Sequence, residues 1–417
     1  MLASAAAARG HGSAAYYRLA LILGALTAMG PLAIDTYLPA LPRIARDFHT
    51  SVALVQVSLS LYFVGIAVGQ ALYGPLSDRI GRKPALYLGL LLFIAASLGC
   101  ALSTSVYALI VFRFLQALGG CSPLVVPRAI VRDHFDQRDS VRMLSILMLV
   151  MGLAPILAPL VGGQLLKYFG WRSIFWFHAG YAVVWLTAVA TGLQESLTPE
   201  RRQRHRIGIV LSTYFGLITD RAFMGQALAG ALIFAGLLAY ISGSSFVFME
   251  LFHVSPEHFG LYFGTNAIGI VTASQFNRWL AQRTDAAVVL RRVLPVSLVA
   301  SLVLLVDAVT GFGGFAGILI PLFVYIATHG FVMPNTTALA MAPHGAVAGS
   351  ASALLGSIQF ILGALAGSLV SAASNGTAVP LAAVVALCGT GAFVIHTLST
   401  LPFVTPAAAG TQSASSK

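Results

Sequence analysis

Two side chains in this sequence place charge where charge is expensive. Asp35 closes an apolar run that begins near Tyr17, in the stretch Gly30-Pro31-Leu32-Ala33-Ile34-Asp35-Thr36-Tyr37-Leu38-Pro39-Ala40-Leu41-Pro42. Arg113 stands alone in another apolar run, within Arg113-Phe114-Leu115-Gln116-Ala117-Leu118-Gly119-Gly120. A charged side chain at the centre of a bilayer costs about 2.5–3.5 kcal/mol on insertion scales. A cation partner, a water-filled cavity or protonation relieves that cost, so a carboxylate held there is suited to carrying a proton. The plainer alternative is a carboxylate that snorkels to nearby headgroups or caps a neighbouring helix. At 1.5 Å per residue, Asp35 lies about 27 Å from the start of its run. Arg113 lies about 10 Å from the outer end of its own antiparallel run. Both groups therefore fall in the same half of the bilayer. Such a couple serves either a moving proton or a purely structural ion pair.

The elements that position them follow from composition. Only 9% of residues are charged and 58% are hydrophobic, and the apolar residues come in runs near the length of a membrane span. A helix satisfies its own backbone polar groups in lipid, so the expected class is an all-α membrane protein. An outer-membrane barrel would show short alternating segments, which are absent. Twelve spans are expected, near Tyr17–Ala40, Val52–Tyr73, Pro84–Ser103, Val106–Ile130, Val141–Leu166, Trp171–Gly192, Ala222–Ser245, Glu257–Trp279, Ala287–Val309, Phe312–Met341, Ala346–Ser371 and Ala378–Leu398. The longest polar interruption, Thr198 to Asp220, divides them six and six. The expected domains are a disordered tail over 1–16, a six-helix bundle over 17–193, a basic linker over 194–221, a second bundle over 222–404 and a disordered tail over 405–417. Two such bundles with a basic central linker suggest pseudo-symmetric repeats about an axis along the membrane normal.

The formal net charge of +11 would suggest nucleic acid in a soluble chain. Here Arg79, Arg82, Lys83, Arg132, Arg138, Arg142, the Arg201–Arg206 cluster, Arg278, Arg283, Arg291 and Arg292 fall on one side of the spans, against Arg43, Arg46, Lys167 and Arg172 on the other. That asymmetry is topological, and it expects both termini in the cytoplasm and no nucleic-acid partner. Cys100, Cys121 and Cys388 all fall in apolar runs without metal or disulfide spacing, so they read as packing residues. No HExxH and no GxSxG occurs, and neither enzyme activity, a metal nor a cofactor is expected.

Three further motifs carry a resemblance. Gly74-Pro75-Leu76-Ser77-Asp78-Arg79-Ile80-Gly81-Arg82-Lys83-Pro84 resembles the G-x-L-a-D-r-x-G-R-k-x loop of the major facilitator superfamily. Gly81 permits a tight turn, Asp78 can pair with a nearby arginine, and the cations fix the cytoplasmic side. The Arg113 stretch is similar to the family's R-f-x-Q-G-x-G-a motif, with Ala117 in place of a glycine. Gly152-Leu153-Ala154-Pro155-Ile156-Leu157-Ala158-Pro159-Leu160-Val161-Gly162-Gly163 resembles the span-five motif of proton-coupled antiporters, with Ala154 and Ala158 replacing two glycines. Small residues let backbones approach, and Pro155 and Pro159 kink the helix into a pivot or seal. The I-D-x-Y-L-P ending of span one, Arg128-Ala129-Ile130-Val131-Arg132-Asp133 after span four and Gly349–Gly356 in span eleven are similar to the Bcr/CflA group of drug:proton antiporters.

The resemblance implies twelve transmembrane helices in two bundles and a proton-coupled exporter of small amphipathic drugs or metabolites in the inner membrane. It implies coupling through Asp35 and Arg113, gating through Gly74, Asp78, Arg79, Gly81, Arg82, Arg128 and Asp133, and an antiporter motif at Gly152, Pro155, Pro159, Gly162 and Gly163. A facilitator-type importer of a small nutrient remains the alternative, since fold alone does not set direction. Asp307 remains a second candidate for the coupling acid. Substrate contacts must come from polar or aromatic residues within spans, of which Tyr37, Tyr62, Gln116, Tyr240, Ser244, Phe246, Asn266, Asn335 and Gln359 form the set. The expected partners are a small-molecule substrate, protons and the lipid bilayer, with the chain acting as a monomer.

Overall fold

The computed structural model describes residues 14–198 and 207–400. Residues 1–13, the Arg201–Arg206 cluster and the tail expected over 405–417 lie outside the described residues. Twelve long helices carry the architecture: α1 Ala14–Asp35, α2 Val52–Ile80, α3 Arg82–Ala101, α4 Val106–His134, α5 Gln137–Phe169, α6 Arg172–Gly192, α7 Arg221–Ser245, α8 Pro256–Leu280, α9 Ala286–Thr310, α10 Gly314–Met341, α11 Ala348–Ala372 and α12 Val379–Thr400. Eleven of the long apolar helices or helix runs are apolar enough throughout to cross a membrane. The twelfth, α8, is of matching length but more polar, because it carries Asn266, Gln275 and Asn277 along its course.

Local chemistry sets the helix ends. The hydroxyls of Ser51 and Ser105 accept the Leu54 and Ala108 amides, and the carboxylates of Asp136 and Asp220 do the same for α5 and α7. Two boundaries depart from the sequence expectation. The first span does not run to Ala40: α1 stops at Asp35, and the chain continues through a 3₁₀ turn, Leu38–Ala40, into a short helix, Leu41–Asp47. Pro39 and Pro42 lack the amides that would continue the hydrogen-bond ladder, so Asp35 sits at a helix end. Conversely, Gly74–Ile80 is the last part of α2 and not a loop. Gly81 alone, at φ 106°, turns the chain into α3, a conformation that favours glycine. Between the halves, Ile207–Thr219 forms a connecting helix that packs against α7 and α11.

The packing repeats about a pseudo-two-fold axis. In the first half α1 packs on α4, α5 and α6, α2 on α4, and α3 on α4 and α6. In the second half α7 packs on α10, α11 and α12, α8 on α10, and α9 on α10 and α12. The two seams between the halves, α2 with α11 and α5 with α8, exchange under the same operation. Side chains facing lipid are apolar and exposed, as at Leu149 and Leu153 of α5 and Val303 and Val306 of α9.

We call the face where α1 begins and α12 ends proximal, and the opposite face distal. Described hydrogen bonds between the halves gather toward the distal face. Gln56 donates to the Ser242 carbonyl (2.9 Å) and accepts from the Ser371 hydroxyl (2.9 Å). Ser245 donates to the Leu38 carbonyl (2.8 Å). At mid-depth, Ser357 donates to the Ala67 carbonyl (3.1 Å).

Candidate functional site

Beneath that distal seal lies a buried polar network centred on Arg113. Its guanidinium, fully buried on α4, is sandwiched by the Tyr37 and Tyr62 rings, with Cζ 4.4 Å and 4.1 Å from their centroids. A desolvated cation–π contact contributes about 2 kcal/mol. Nη1 donates to the Ala33 carbonyl (3.1 Å) and to Gln116 Oε1 (2.6 Å). Nε and Nη2 have no acceptor, and the aromatic faces cover the group instead. Tyr37 is held in turn by a 2.9 Å hydrogen bond between its hydroxyl and that of Ser58.

Arg113 fixes the orientation of Gln116, because the oxygen of the amide must face the cation. The amide nitrogen then points to Ser97 Oγ (2.8 Å) on α3 and to His178 Nδ1 (3.4 Å) on α6. Nδ1 therefore accepts. On the other side of the ring, His178 Nε2 lies 2.8 Å from Thr36 Oγ1, whose own proton goes to the Leu32 carbonyl (2.7 Å). The hydrogen bonds assign His178 as the neutral Nε2–H tautomer. One chain of contacts thus joins α4, α3, α6 and the end of α1. Gly162 of α5 completes it by packing directly on the Thr36 carbonyl, where a side chain would collide with the backbone.

Asp35, next to Thr36, is 3% exposed. Among the described residues its carboxylate has no hydrogen-bond or ion-pair partner. The direct pair with Arg113 that the depth argument allowed is absent: Arg113 reaches the backbone two residues earlier, at Ala33. Asp35 lies within electrostatic range of the buried Tyr62 and Tyr240, one from each half. In the second half, Asn266 donates to the Tyr240 hydroxyl (2.9 Å), and Phe263 stacks on the Tyr240 ring at 5.4 Å. The Tyr62 hydroxyl and Asn266 Oδ1 are buried with no partner.

The remaining candidates divide clearly. Ser244 is buried and bonded within its own helix, to the Ile241 carbonyl. Phe246 and Gln359 are half-buried. Asn335 pairs with Asn277 (2.7 Å), away from the Arg113 network. Asp307 accepts the Gly313 amide (2.7 Å) and so caps the turn between α9 and α10. Glu250 is exposed, and His329 lies against the Phe234 ring.

At the proximal face the gating candidates assemble around Arg82. Its guanidinium reaches Asp78 Oδ1 (2.5 Å), Asp133 Oδ2 (2.9 Å) and Ser77 Oγ (2.8 Å), tying the end of α2 to the end of α4. Gly74 supplies the carbonyl that the Ser77 hydroxyl donates to. Arg79 and Arg128 are exposed, the latter with Nη2 3.8 Å from Met151 Sδ on α5. Glu195, beyond α6, accepts the backbone amides of Arg82 (2.9 Å) and Lys83 (3.0 Å). Along α5, Gly152 faces Val271, Ile156 faces Gly264 and Leu160 faces Gly260, so the span-five motif forms the seam with α8.

His178, Thr36, Ser97, Gln56 and Glu195 were not singled out from sequence. A histidine and a threonine at the same depth as Arg113 were the available signal.

Comparison with known proteins fits this geometry. Residues 21–368 match the family model described as Major Facilitator Superfamily. A Bacillus subtilis (strain 168) protein named uncharacterized MFS-type transporter YdgK is 39% identical over 88% of this chain and 91% of its own length. The bicyclomycin resistance protein homolog of Haemophilus influenzae is 30% identical, covering 88% of this chain and 92% of its own. The chloramphenicol resistance protein of Pseudomonas aeruginosa is 30% identical, covering 91% and 89%. Among solved structures, a D-xylose-proton symporter superposes with a TM-score of 0.71 at 14% identity, over 91% of this chain and 97% of that one. At that identity the likeness is one of fold.

Proposed function

This chain belongs to the major facilitator superfamily, and on that premise we propose that it exports small amphipathic drugs or metabolites across the inner membrane in exchange for protons. The observation that carries the reading is Asp35: a buried carboxylate at the end of α1, with no hydrogen-bond or ion-pair partner among the described residues, one residue from the Thr36–His178–Gln116–Arg113 network. Two of the relatives bear drug-resistance names, which supports the substrate class. The proximal face collects Arg82, Lys83, Arg132, Arg278, Arg283 and Arg291, which supports its assignment to the cytoplasm. In this orientation the described form is sealed toward the outside.

The coupling follows from energetics. Protonating Asp35 removes a charge from the seam, and a bound substrate fills the same region between Tyr62 and Tyr240. If each event favours a different access state, the proton gradient drives the substrate outward. Arg113 and its aromatic cage keep the local field fixed while Asp35 changes charge. Arg82, with Asp78 and Asp133, is the latch that one access state makes and the other strains.

Everted membrane vesicles energised to an acidic interior test this. Addition of chloramphenicol-like, bicyclic or cationic drugs should release protons from the lumen with the natural chain and not with Asp35→Asn present at the same level. Proton-driven export retained by Asp35→Asn would remove Asp35 as the coupling acid. Substrate entry that runs with the proton instead of against it would replace export by import.

A further inference from the structure

The halves also differ at a place that transport leaves unused. Near the proximal face, α9 and α12 cross over a cavity of about 350 Å³. Its walls include Leu290, Arg291 and Leu294 of α9 and Phe393, His396 and Thr397 of α12. Arg291 is exposed at the rim. His396 is 4% exposed, and neither of its ring nitrogens has a hydrogen-bond partner. The hydroxyl of Thr397 does not serve it, because it turns back to the Phe393 carbonyl. A buried polar group left unpaired is costly, so an imidazole with two such atoms in the wall of a cavity asks for a ligand.

The pseudo-symmetric crossing, α3 with α6, shows what kind. There the chain supplies its own anion, Glu195, whose two oxygens accept the Arg82 and Lys83 amides. Lys83 Nζ then donates to the Ala190 and Leu193 carbonyls, at 3.0 Å and 2.8 Å, across the same crossing. In the second half, no carboxylate among the described residues lines the cavity. Asp285, at the head of α9, makes no capping bond. The second crossing has the cation and the donor but not the anion.

Its position names the source of that anion. Arg291 lies five residues into α9 and His396 four residues before the end of α12, each about 6–8 Å from its helix end. Trp279 in the last turn of α8, with the Arg283 guanidinium 3.9 Å over its ring, marks the same interfacial level. The surrounding surface is apolar, with Val296, Val299, Val394 and Leu398 exposed. We propose that this groove binds the phosphate of an anionic phospholipid from the proximal leaflet. Arg291 and His396 donate to the phosphate oxygens, and Leu290, Leu294 and Phe393 cover the start of an acyl chain.

The test is native mass spectrometry of the delipidated full chain titrated with phosphatidylglycerol, with phosphatidylcholine in parallel and inorganic phosphate as a competitor in a separate arm. The expected result is one phosphatidylglycerol held more tightly than phosphatidylcholine. Arg291→Ala should weaken it about fivefold, the worth of one cation at a lipid surface, and His396→Gln should weaken it as well. Arg283→Ala should leave it unchanged. Equal retention by the natural chain and both groove variants would overturn the site, as would an equal loss from Arg283→Ala. Displacement by millimolar inorganic phosphate, with the same dependence on Arg291 and His396, would reassign the groove to a soluble anion and overturn the lipid.

Discussion

At the proximal end of the first half, Arg82 ties α2 to α4 through the carboxylates of Asp78 and Asp133. At the corresponding place in the second half, Asn335 of α10 ties to α8 through one amide, Asn277. The same contrast runs through the membrane interior. The buried charged residues among those described, Asp35, Arg82 and Arg113, all belong to the first half. The second half presents neutral buried polar groups there, among them Tyr240, Ser245, Asn266 and Ser371. A pseudo-two-fold fold thus repeats its packing without repeating its chemistry. On the proposed coupling, the difference places the proton's effect: titration would change the electrostatics of one half, against a neutral wall in the other.

The comparison breaks most completely at Asp35. Asp35→Asn keeps the shape and removes the most deeply buried carboxylate among the described residues, so proton-driven export should fall to the level of vesicles lacking the protein. Substrate exchange without a gradient should survive, because the walls are unchanged. Loss of both activities together would mean that Asp35 holds substrate and not the proton. The next effect in size is at the latch. Arg82→Ala strands two carboxylates, one of them half-exposed, and should lower stability in detergent by about 2–3 kcal/mol. Thermal unfolding with and without Asp78→Asn and Asp133→Asn checks this: neutralising both acids should recover much of the loss.

How far the sequence reveals these features depends on the kind of signal each leaves. Asp35, Arg113 and the Gly74–Pro84 motif stand out because charge in an apolar run is rare and costly, and twelve runs of near-membrane length declare the fold. His178 left almost no mark, since a neutral imidazole among Phe175, Phe177 and Tyr181 reads as another aromatic. Its role exists only once α6 is packed against α1 and α4, a contact between residues far apart in the chain. The end of α1 at Asp35 was hidden by an apolar run that continues past Tyr37, although Pro39 and Pro42 were there to break it. Ile207–Thr219 was read as linker because thirteen residues, about 20 Å of helix, are too short to span.

A smaller effect sharpens the first half from within. His178→Leu leaves Thr36 and Gln116 without their shared partner and should lower stability by about 1–3 kcal/mol. His178→Gln can still accept and donate, and should recover part of that. If the network also sets the field at Asp35, His178→Leu will shift the pH at which export is half-maximal, while His178→Gln shifts it less. An unchanged pH profile with lowered stability would make the network scaffolding alone.

The smallest effect belongs to the second half and is the most discriminating. Asn335→Ala removes one amide hydrogen bond within the membrane, a contact whose average worth is about 0.6 kcal/mol. The bond is neutral on both sides, so its loss should be indifferent to ionic strength and to the pH gradient. Arg82→Ala should instead show a stability loss that varies with salt, because Asp78 is in part open to solvent. Measuring thermal stability and gradient-driven export of both variants over a range of salt and pH therefore tests the asymmetry itself. If Asn335→Ala alters the dependence on the proton gradient as strongly as Arg82→Ala does, the neutral amide pair is a gate of equal standing, and proton control is shared between the halves.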